Sequence, residues 1–311
     1  MDALATERFE ADRPRLAALA YRLLGSAADA EDAVQDAFLR WQAADRARIE
    51  APEAWLAKIV TNLCLDRLRS ARARRERAVG EWLPEPLLEG DPMLGPADAF
   101  EQRESVSLAM LVLMERLSPS ERAVYVLREA FSYGHAEIAG LLDITESASQ
   151  QHLHRARRRV RDARRGDVVD EAGARRIVEA FLAAAASGRT ERLIALLTED
   201  ATGVSDGAGL SARLLRFPNA ERVAVAVRGA LKPSDGKRRR AGGSPALYSG
   251  VVNGSACVVA VVDGRVVGLV ILETRDGKIM FMRGVASPEH LGRLTEVWSA
   301  REHDAPIVPS W

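Results

Sequence analysis

The segment ESASQQHLHRARRRV (Glu146–Val160) separates two kinds of hydrogen-bonding chemistry along one stretch. Its first half offers Ser147, Ser149, Gln150, Gln151 and His152, all able to bond base edges. His154 follows, and then Arg155, Arg157, Arg158, Arg159 and Arg161, which suit phosphate neutralisation. A run of arginines alone is most often a solvated helix face. Here it follows Ile138, Ala139, Leu141 and Leu142 at helical spacing and a short DIT turn. That order is the layout of a helix-turn-helix, whose second helix enters the major groove with its N-terminal residues over the bases.

Two further sets carry chemistry. A long helix predicted over Trp55–Arg77 shows Trp55, Lys58, Thr61, Asn62, Asp66, Arg67 and Arg69 together. Rings and guanidinium groups stack on unpaired bases and amides read their edges, so this set suits single-stranded nucleic acid. The other reading is an ordinary amphipathic helix. Upstream, Glu31, Asp32, Gln35 and Asp36 form an acidic face that repels DNA; it is either solvated or directed at a basic protein partner. Between them and the helix-turn-helix lies EWLPEPLLEG, with Trp82, Leu83, Pro84, Glu85 and Pro86, a connector stiffened by two prolines around a bulky anchor.

The elements that must position these residues are helical from residue 7 to about 165. Leu16, Leu19, Ala20 and Leu23 make one apolar stripe that stops at Gly25, with Ser26 placed to cap the next helix. That helix aligns Ala30, Val34, Ala37, Phe38 and Trp41. Pro52 opens the next, with Trp55, Leu56, Ile59, Val60, Leu63 and Leu68 on its apolar face. After the connector, helices are expected over about Phe100–Leu117, Pro119–Ser132 and His135–Leu142, and from near Glu146 into the arginines. Beyond residue 170, helices at Arg175–Ser187 and Glu191–Leu197 precede strand-like runs: RVAVAV, SACVVAVVDGRVVGLVILE and KIMFM. The Asp-Gly pairs in VVDGRV and TRDGKI signal hairpins. The expectation is a compact α+β domain with a meandering antiparallel sheet.

The chain of 311 residues is 47% apolar, enough for two or three packed domains, and its 44 basic and 44 acidic side chains balance overall while clustering locally. Cys64 and Cys257 lie far apart with no ligand spacing, so neither a disulfide framework nor a metal site is expected, and no cofactor. No apolar run approaches the roughly 18 residues of a membrane span, and the N-terminus lacks a signal pattern; a cytoplasmic protein with no membrane partner is expected.

Taken together, YRLLGSAADAEDAVQDAFLRW and APEAWLAKIVTNLCLDRLRSARARRE resemble region two of bacterial extracytoplasmic-function sigma factors. LSPSERAVYVLREAFSYGHAEIAGLLDITESASQQHLHRARRRVR resembles their region four. The resemblance implies promoter-directed transcription initiation: region two docks on the polymerase clamp and melts the −10 element, and region four binds the −35 duplex. By position it places Glu31, Asp32, Gln35 and Asp36 against the clamp of the largest subunit, with region four toward the flap. Asn62 falls where the family reads a −10 base, and the loop Asp45–Glu53 where it captures an extruded one. Ser149, Gln150, Gln151, His154, Arg155, Arg157 and Arg158 fall on the −35 face. The family's usual Gly-Thr-Val plus a basic residue is replaced here by Ser147-Ala148-Ser149-Gln150, and glutamine pairs more naturally with adenine than with guanine.

The remainder resembles the SnoaL-like fold, a cone of curved sheet over helices, and with WLPEP it resembles the SigJ-type subgroup of that family. The expected division is region two over 1–80, a linker over 81–103, region four over 104–168, the SnoaL-like domain over 169–295 and a tail over 296–311. The subgroup's DGGGK motif is represented only by SDGAGLSARLL, with Asp206 and Gly207 retained. The C-terminal domain is expected to regulate by contacting regions two and four and the linker, with WLPEP docking near Asp206–Leu210 or the Trp298 tail. The alternative for the linker is a stiff spacer packing Trp82 on region two. Asp200, Asp206, Asp263 and His290 are the candidate acid/base groups, but no pair at fixed spacing points to catalysis. The non-enzymatic reading leads. The alternatives are a one-component DNA-binding regulator with a ligand sensor and an enzyme carrying a DNA-binding module.

Overall fold

The computed structural model describes residues 3–75, 84–95, 107–160, 166–207 and 214–311. They fall into two units, one of residues 1–85 and 90–164, the other of residues 86–89 and 165–311.

In the first unit, α1 (Ala3–Leu24), α2 (Ala27–Ala43) and α3 (Pro52–Arg75) pack around one another. Gly25, at φ 67°, turns the chain out of α1, a conformation glycine adopts without steric cost. The Ser26 hydroxyl then caps α2 by accepting the Asp29 N–H. The stripe expected on α2 is buried at Ala30, Val34, Ala37 and Trp41, and the Trp41 indole donates to the Ala5 carbonyl at 2.8 Å. Among the described residues four shorter helices follow: α4 (Leu108–Met114), α5 (Pro119–Glu129), α6 (His135–Leu142) and α7 (Glu146–Val160). Ser118 and Glu121 close a capping box at the start of α5. Asp143, at φ 53°, ends α6 in the left-handed region and begins the turn into α7. The expected extensions over 96–106 and 161–165, and Arg77, lie outside the described residues.

A buried arginine ties this unit together. Arg22 is 2% exposed; it donates to the carbonyls of Ala18 and Leu94 and lies 5.5 Å from the Phe131 ring centroid. Burial lowers its pKa to about 10, which leaves it charged at neutral pH. Sequence periodicity gave no hint of it, because an arginine on α1 reads as a surface residue.

The second unit runs α8 (Glu171–Ala186), α9 (Thr190–Ala195), β1 (Leu197–Ser205), β2 (Leu215–Phe217), α10 (Ala220–Leu231), α11 (Asp235–Ala241), β3 (Ala246–Val252), β4 (Ser255–Val262), β5 (Arg265–Arg275), β6 (Lys278–Val285) and α12 (Gly292–Ser299). Its six strands lie in the order β2-β1-β6-β5-β4-β3. The meander β3–β6 is antiparallel as expected, but β1 joins β6 in parallel, so the sheet is mixed. Val178 and Phe181 of α8 and Val223 and Val227 of α10 form a core against Leu247, Val251, Val258, Leu272 and Met282. Asp263-Gly264 and Asp276-Gly277 make the two expected hairpins with positive φ at both residues, and Asn253-Gly254 makes a third.

One expectation is overturned. RVAVAV lies in α10 rather than in a strand. Asn219 accepts the Arg222 N–H and starts the helix, and burial of Val223, Ala224 and Val227 follows a helical face. Leu197 also begins β1 instead of ending a helix. The tail is part of this unit: Leu247 and Val308 pair as an antiparallel bridge, and Trp311 donates its indole N–H to Leu231.

Candidate nucleic-acid interface

On α7, Gln150, Gln151, His154, Arg155, Arg157 and Arg158 are exposed, as are Glu146, Ser147 and Arg159, while Leu153, Ala156 and Val160 face the core. Three of the arginines are held by carboxylates of α5. Glu121, itself 3% exposed, accepts from Arg155 at 3.0 Å and from Arg159, and Glu129 accepts from Arg157 at 2.7 Å. These pairs fix the guanidinium groups along one side of the recognition helix. Ser149 is a correction to the sequence reading: it is fully buried, and its hydroxyl lies 2.9 Å from His135 Nδ1, so it braces α6 against α7 and is closed to bases. His152 is held below its ordinary pKa by burial and then by Arg155, which keeps it neutral near pH 7.

The residues expected on the single-strand face of α3 are divided by the fold. Asn62 is partly exposed, and Trp55 stacks at a tilt on Trp41 with centroids 5.8 Å apart. Thr61 is a second correction, since it is 0% exposed and its hydroxyl is buried without a hydrogen-bond partner. Asp66 and Arg69 pair with each other at 3.2 Å. Arg67 turns back to α2, reaching Asp36 at 3.0 Å, Asp32 at 3.5 Å and Asp29 at 3.7 Å. One guanidinium thus orders the carboxylates of the acidic face, where Glu31, Asp32 and Gln35 stay exposed.

Lys58 meets the helix-turn-helix. Its Nζ donates to Asp143 Oδ1 at 2.6 Å and to the Gly140 carbonyl at 3.0 Å. Nearby, Arg15 donates to the Tyr133 hydroxyl at 2.9 Å and lies 5.4 Å from the Tyr133 ring centroid. A cleft of about 730 Å³ runs between the loop 44–51 and α6, with Asp45, Trp55, Lys58, Tyr133, Glu137 and Leu141 in its walls. The loop expected to capture an extruded base therefore faces α6.

The connector is divided between the two units. Trp82 and Leu83 lie outside the described residues. Glu85 belongs to the first unit: its N–H donates to Gly25, its carbonyl accepts the Tyr21 hydroxyl at 2.7 Å, and its carboxylate accepts the Ala27 N–H at the start of α2. Pro86–Glu89 belong to the second unit. There the Leu87 N–H donates to Asn253 Oδ1 at 2.8 Å, Asn253 returns its N–H to the Leu87 carbonyl, and the Glu89 N–H donates to Val251. Leu87 and Leu88 are 1% and 5% exposed, and Leu88 bridges Val252 as an added strand beside β3. Asn253 and the Arg301 side chain, which lies in the tail beside Trp298 and donates to the Glu89 carbonyl, thus hold residues 87–89, while Trp82, Leu83 and residues 208–210 lie outside the described residues. Asp206 accepts the N–H groups of Ala286 and Ser287 at 2.8–3.0 Å and so fixes the chain leaving β6. His290 Nδ1 is 3.9 Å from it, and Asp263 sits in a hairpin turn. Cys64 and Cys257 are buried thiols, the former pushed up to about 12 by burial. Among the described residues, no helix is long and apolar enough to cross a membrane.

The comparisons with known proteins agree with this geometry. The Sigma-70 region 2 family matches residues 8–74, and the Sigma-70, region 4 family matches residues 107–160. The chain is 34% identical over 291 residues to the ECF RNA polymerase sigma factor SigJ of Mycobacterium tuberculosis, covering 92% of this chain and 93% of that protein. It is 31% identical to the probable ECF RNA polymerase sigma factor SigI of the same species, covering 92% and 94%. The crystal structure of the Mycobacterium tuberculosis extracytoplasmic function sigma factor SigJ superposes with a TM-score of 0.67 at 31% identity, covering 92% of this chain and 97% of that one. The C-terminal helices and sheet are therefore shared with SigJ in addition to the two helical regions, and the chain belongs to the ECF RNA polymerase sigma factors.

Proposed function

We propose that this sigma factor rests in a closed state in which its own contacts cover the promoter-reading surfaces, and that its SnoaL-like C-terminal domain controls release by holding the linker. The observation that carries this reading is the strand pairing of Leu87–Glu89 with Val251–Asn253, which makes part of the region two–region four connector an element of the C-terminal sheet. A linker held this way is not free to extend. The contacts of Lys58 with Asp143 and Gly140 support the same reading, since they cover a residue on the proposed −10 face.

In the open state, Trp55, Lys58 and Asn62 meet the melted −10 strand. Gln150, Gln151, His154, Arg155, Arg157 and Arg158 meet the −35 duplex, and Glu31, Asp32, Gln35 and Asp36 meet the polymerase clamp. The C-terminal domain acts without catalysis: Asp206 is engaged by backbone N–H groups and Asp263 by its turn. The test is run-off transcription with core RNA polymerase, comparing the full chain with residues 1–165. Higher promoter affinity and activity in the shorter chain is the expected result. Equal activity and affinity would overturn the regulatory role, and failure of either chain to bind core polymerase would favour a one-component regulator.

A further inference from the structure

The second unit contains a cavity of about 960 Å³ that the holding of the linker does not use. Phe217, Val227, Val270, Met282, Leu291 and Trp311 supply an apolar wall. Cations contribute to the same lining: Lys237 and Arg240 from α11 and Arg265 from β5. Backbone carbonyls hold two of them in place. Lys237 donates to Gly229, Ala230 and Lys232 at the end of α10, and Arg265 donates to Ala241. Carbonyls orient these charges without neutralising them. Glu296 is the carboxylate among the described lining residues, so positive charge is in excess. Lys237 registers the excess, since burial, then Arg240 and then Lys232 lower its pKa.

A volume of this size suits a small organic molecule, and water-poor apolar walls with a few charged groups are the usual chemistry of such sites. We propose that this cavity binds a small amphipathic organic anion, its apolar body against Val227, Val270 and Met282 and its acidic group at Arg240 and Arg265. Asp206, the acid next to the cavity residue Gly207, accepts the N–H groups of Ala286 and Ser287 and fixes the chain at the cavity's edge. Trp311 in the wall supplies a fluorescent reporter.

The test uses the full chain and two probes with the same aromatic body. One is 1-anilinonaphthalene-8-sulfonate, which carries a sulfonate; the other is N-phenyl-1-naphthylamine, which does not. The expected result is one site per chain, with quenching of tryptophan emission and binding of the anion at least about fivefold tighter. The exposed pair R240A and R265A should abolish that preference and leave the neutral probe unaffected. A260F, which fills the cavity from β4, should weaken both probes, with circular dichroism and melting used to confirm that the chain remains folded. Equal affinity for the two probes, binding of either that A260F leaves unchanged, or no saturable binding up to about 100 µM would each overturn the proposal.

Discussion

Glu121 accepts from Arg155, from Arg159 and from the Ser118 N–H, so one buried carboxylate fixes both the start of α5 and two arginines of the recognition helix. Burial raises its pKa, but the Ser118 backbone and hydroxyl, Arg155 and Arg159 outweigh it and hold the group below the ordinary carboxylate range. The folded value is depressed, so its stabilisation is present above the unfolded carboxylate pKa and is lost as pH falls through the folded value. Glu121→Gln should lower unfolding free energy at pH 7 by about 1–3 kcal/mol, the range for removing a charge-assisted hydrogen-bond acceptor. Urea midpoints should then show the wild-type advantage shrinking as pH drops from about 5 toward 3; a gap constant with pH would assign the loss to packing instead. Promoter affinity should fall as well, because Arg155 and Arg159 lose the group that orients them. Thr61 gives the opposite sign. Its buried hydroxyl has no hydrogen-bond partner, so Thr61→Val should be neutral or stabilising by up to about 1 kcal/mol, with −10 melting unchanged. Weaker melting of the −10 element by that variant would return Thr61 to the DNA-reading set.

At the scale of elements, caps decided what periodicity could not. VAVAV alternates in size rather than polarity, so it fits a strand and a helix alike; the Asn219 side chain, accepting the Arg222 N–H, settles it as α10. Asn219→Ala should cost about 1 kcal/mol, read from the melting of the C-terminal unit. No change would mean that packing of Val223 and Val227 alone holds the helix. The sigma helices were legible because strong local signals agreed with burial: Gly25 and Ser26 at the α1–α2 corner, Pro52 at the start of α3, and the His135–Leu142 and Glu146–Val160 pair. The two Asp-Gly hairpins were legible for the same reason. Residues whose roles depend on distant partners were hidden. Thr61 and Ser149 are polar and sit among residues proposed to face DNA, but helix rotation turns them into the core. Arg67 reads as a nucleic-acid contact until α2 brings Asp32 and Asp36 within 3.5 Å. The parallel β1–β6 pairing joins segments too far apart in sequence for any local signal.

At the scale of the whole molecule, the proposed closed state is shared between a linker held by the C-terminal sheet and contacts inside the sigma unit. These differ in strength. Burial of Leu87 and Leu88, two backbone–backbone hydrogen bonds and one to the Asn253 side chain anchor the linker, and truncating one buried leucine typically costs about 2–5 kcal/mol. Leu87→Ala with Leu88→Ala should therefore lower the melting temperature of the C-terminal unit and raise promoter affinity. The Lys58–Asp143 pair is weaker, because Asp143 is 73% exposed and such pairs contribute about 0–1 kcal/mol. Asp143→Gly tests it, since glycine keeps the left-handed φ of 53° at the helix-turn-helix corner while the carboxylate is lost with its side chain. This variant should bind promoter DNA up to about fivefold more tightly at low salt, with the gain fading as ionic strength screens the pair it replaces. Both partners lie in the sigma unit, so the gain should persist in residues 1–165. A gain seen in the full chain but absent from residues 1–165 would show that this contact holds only under the restraint of the C-terminal domain, and the closed state would then have one lock rather than two.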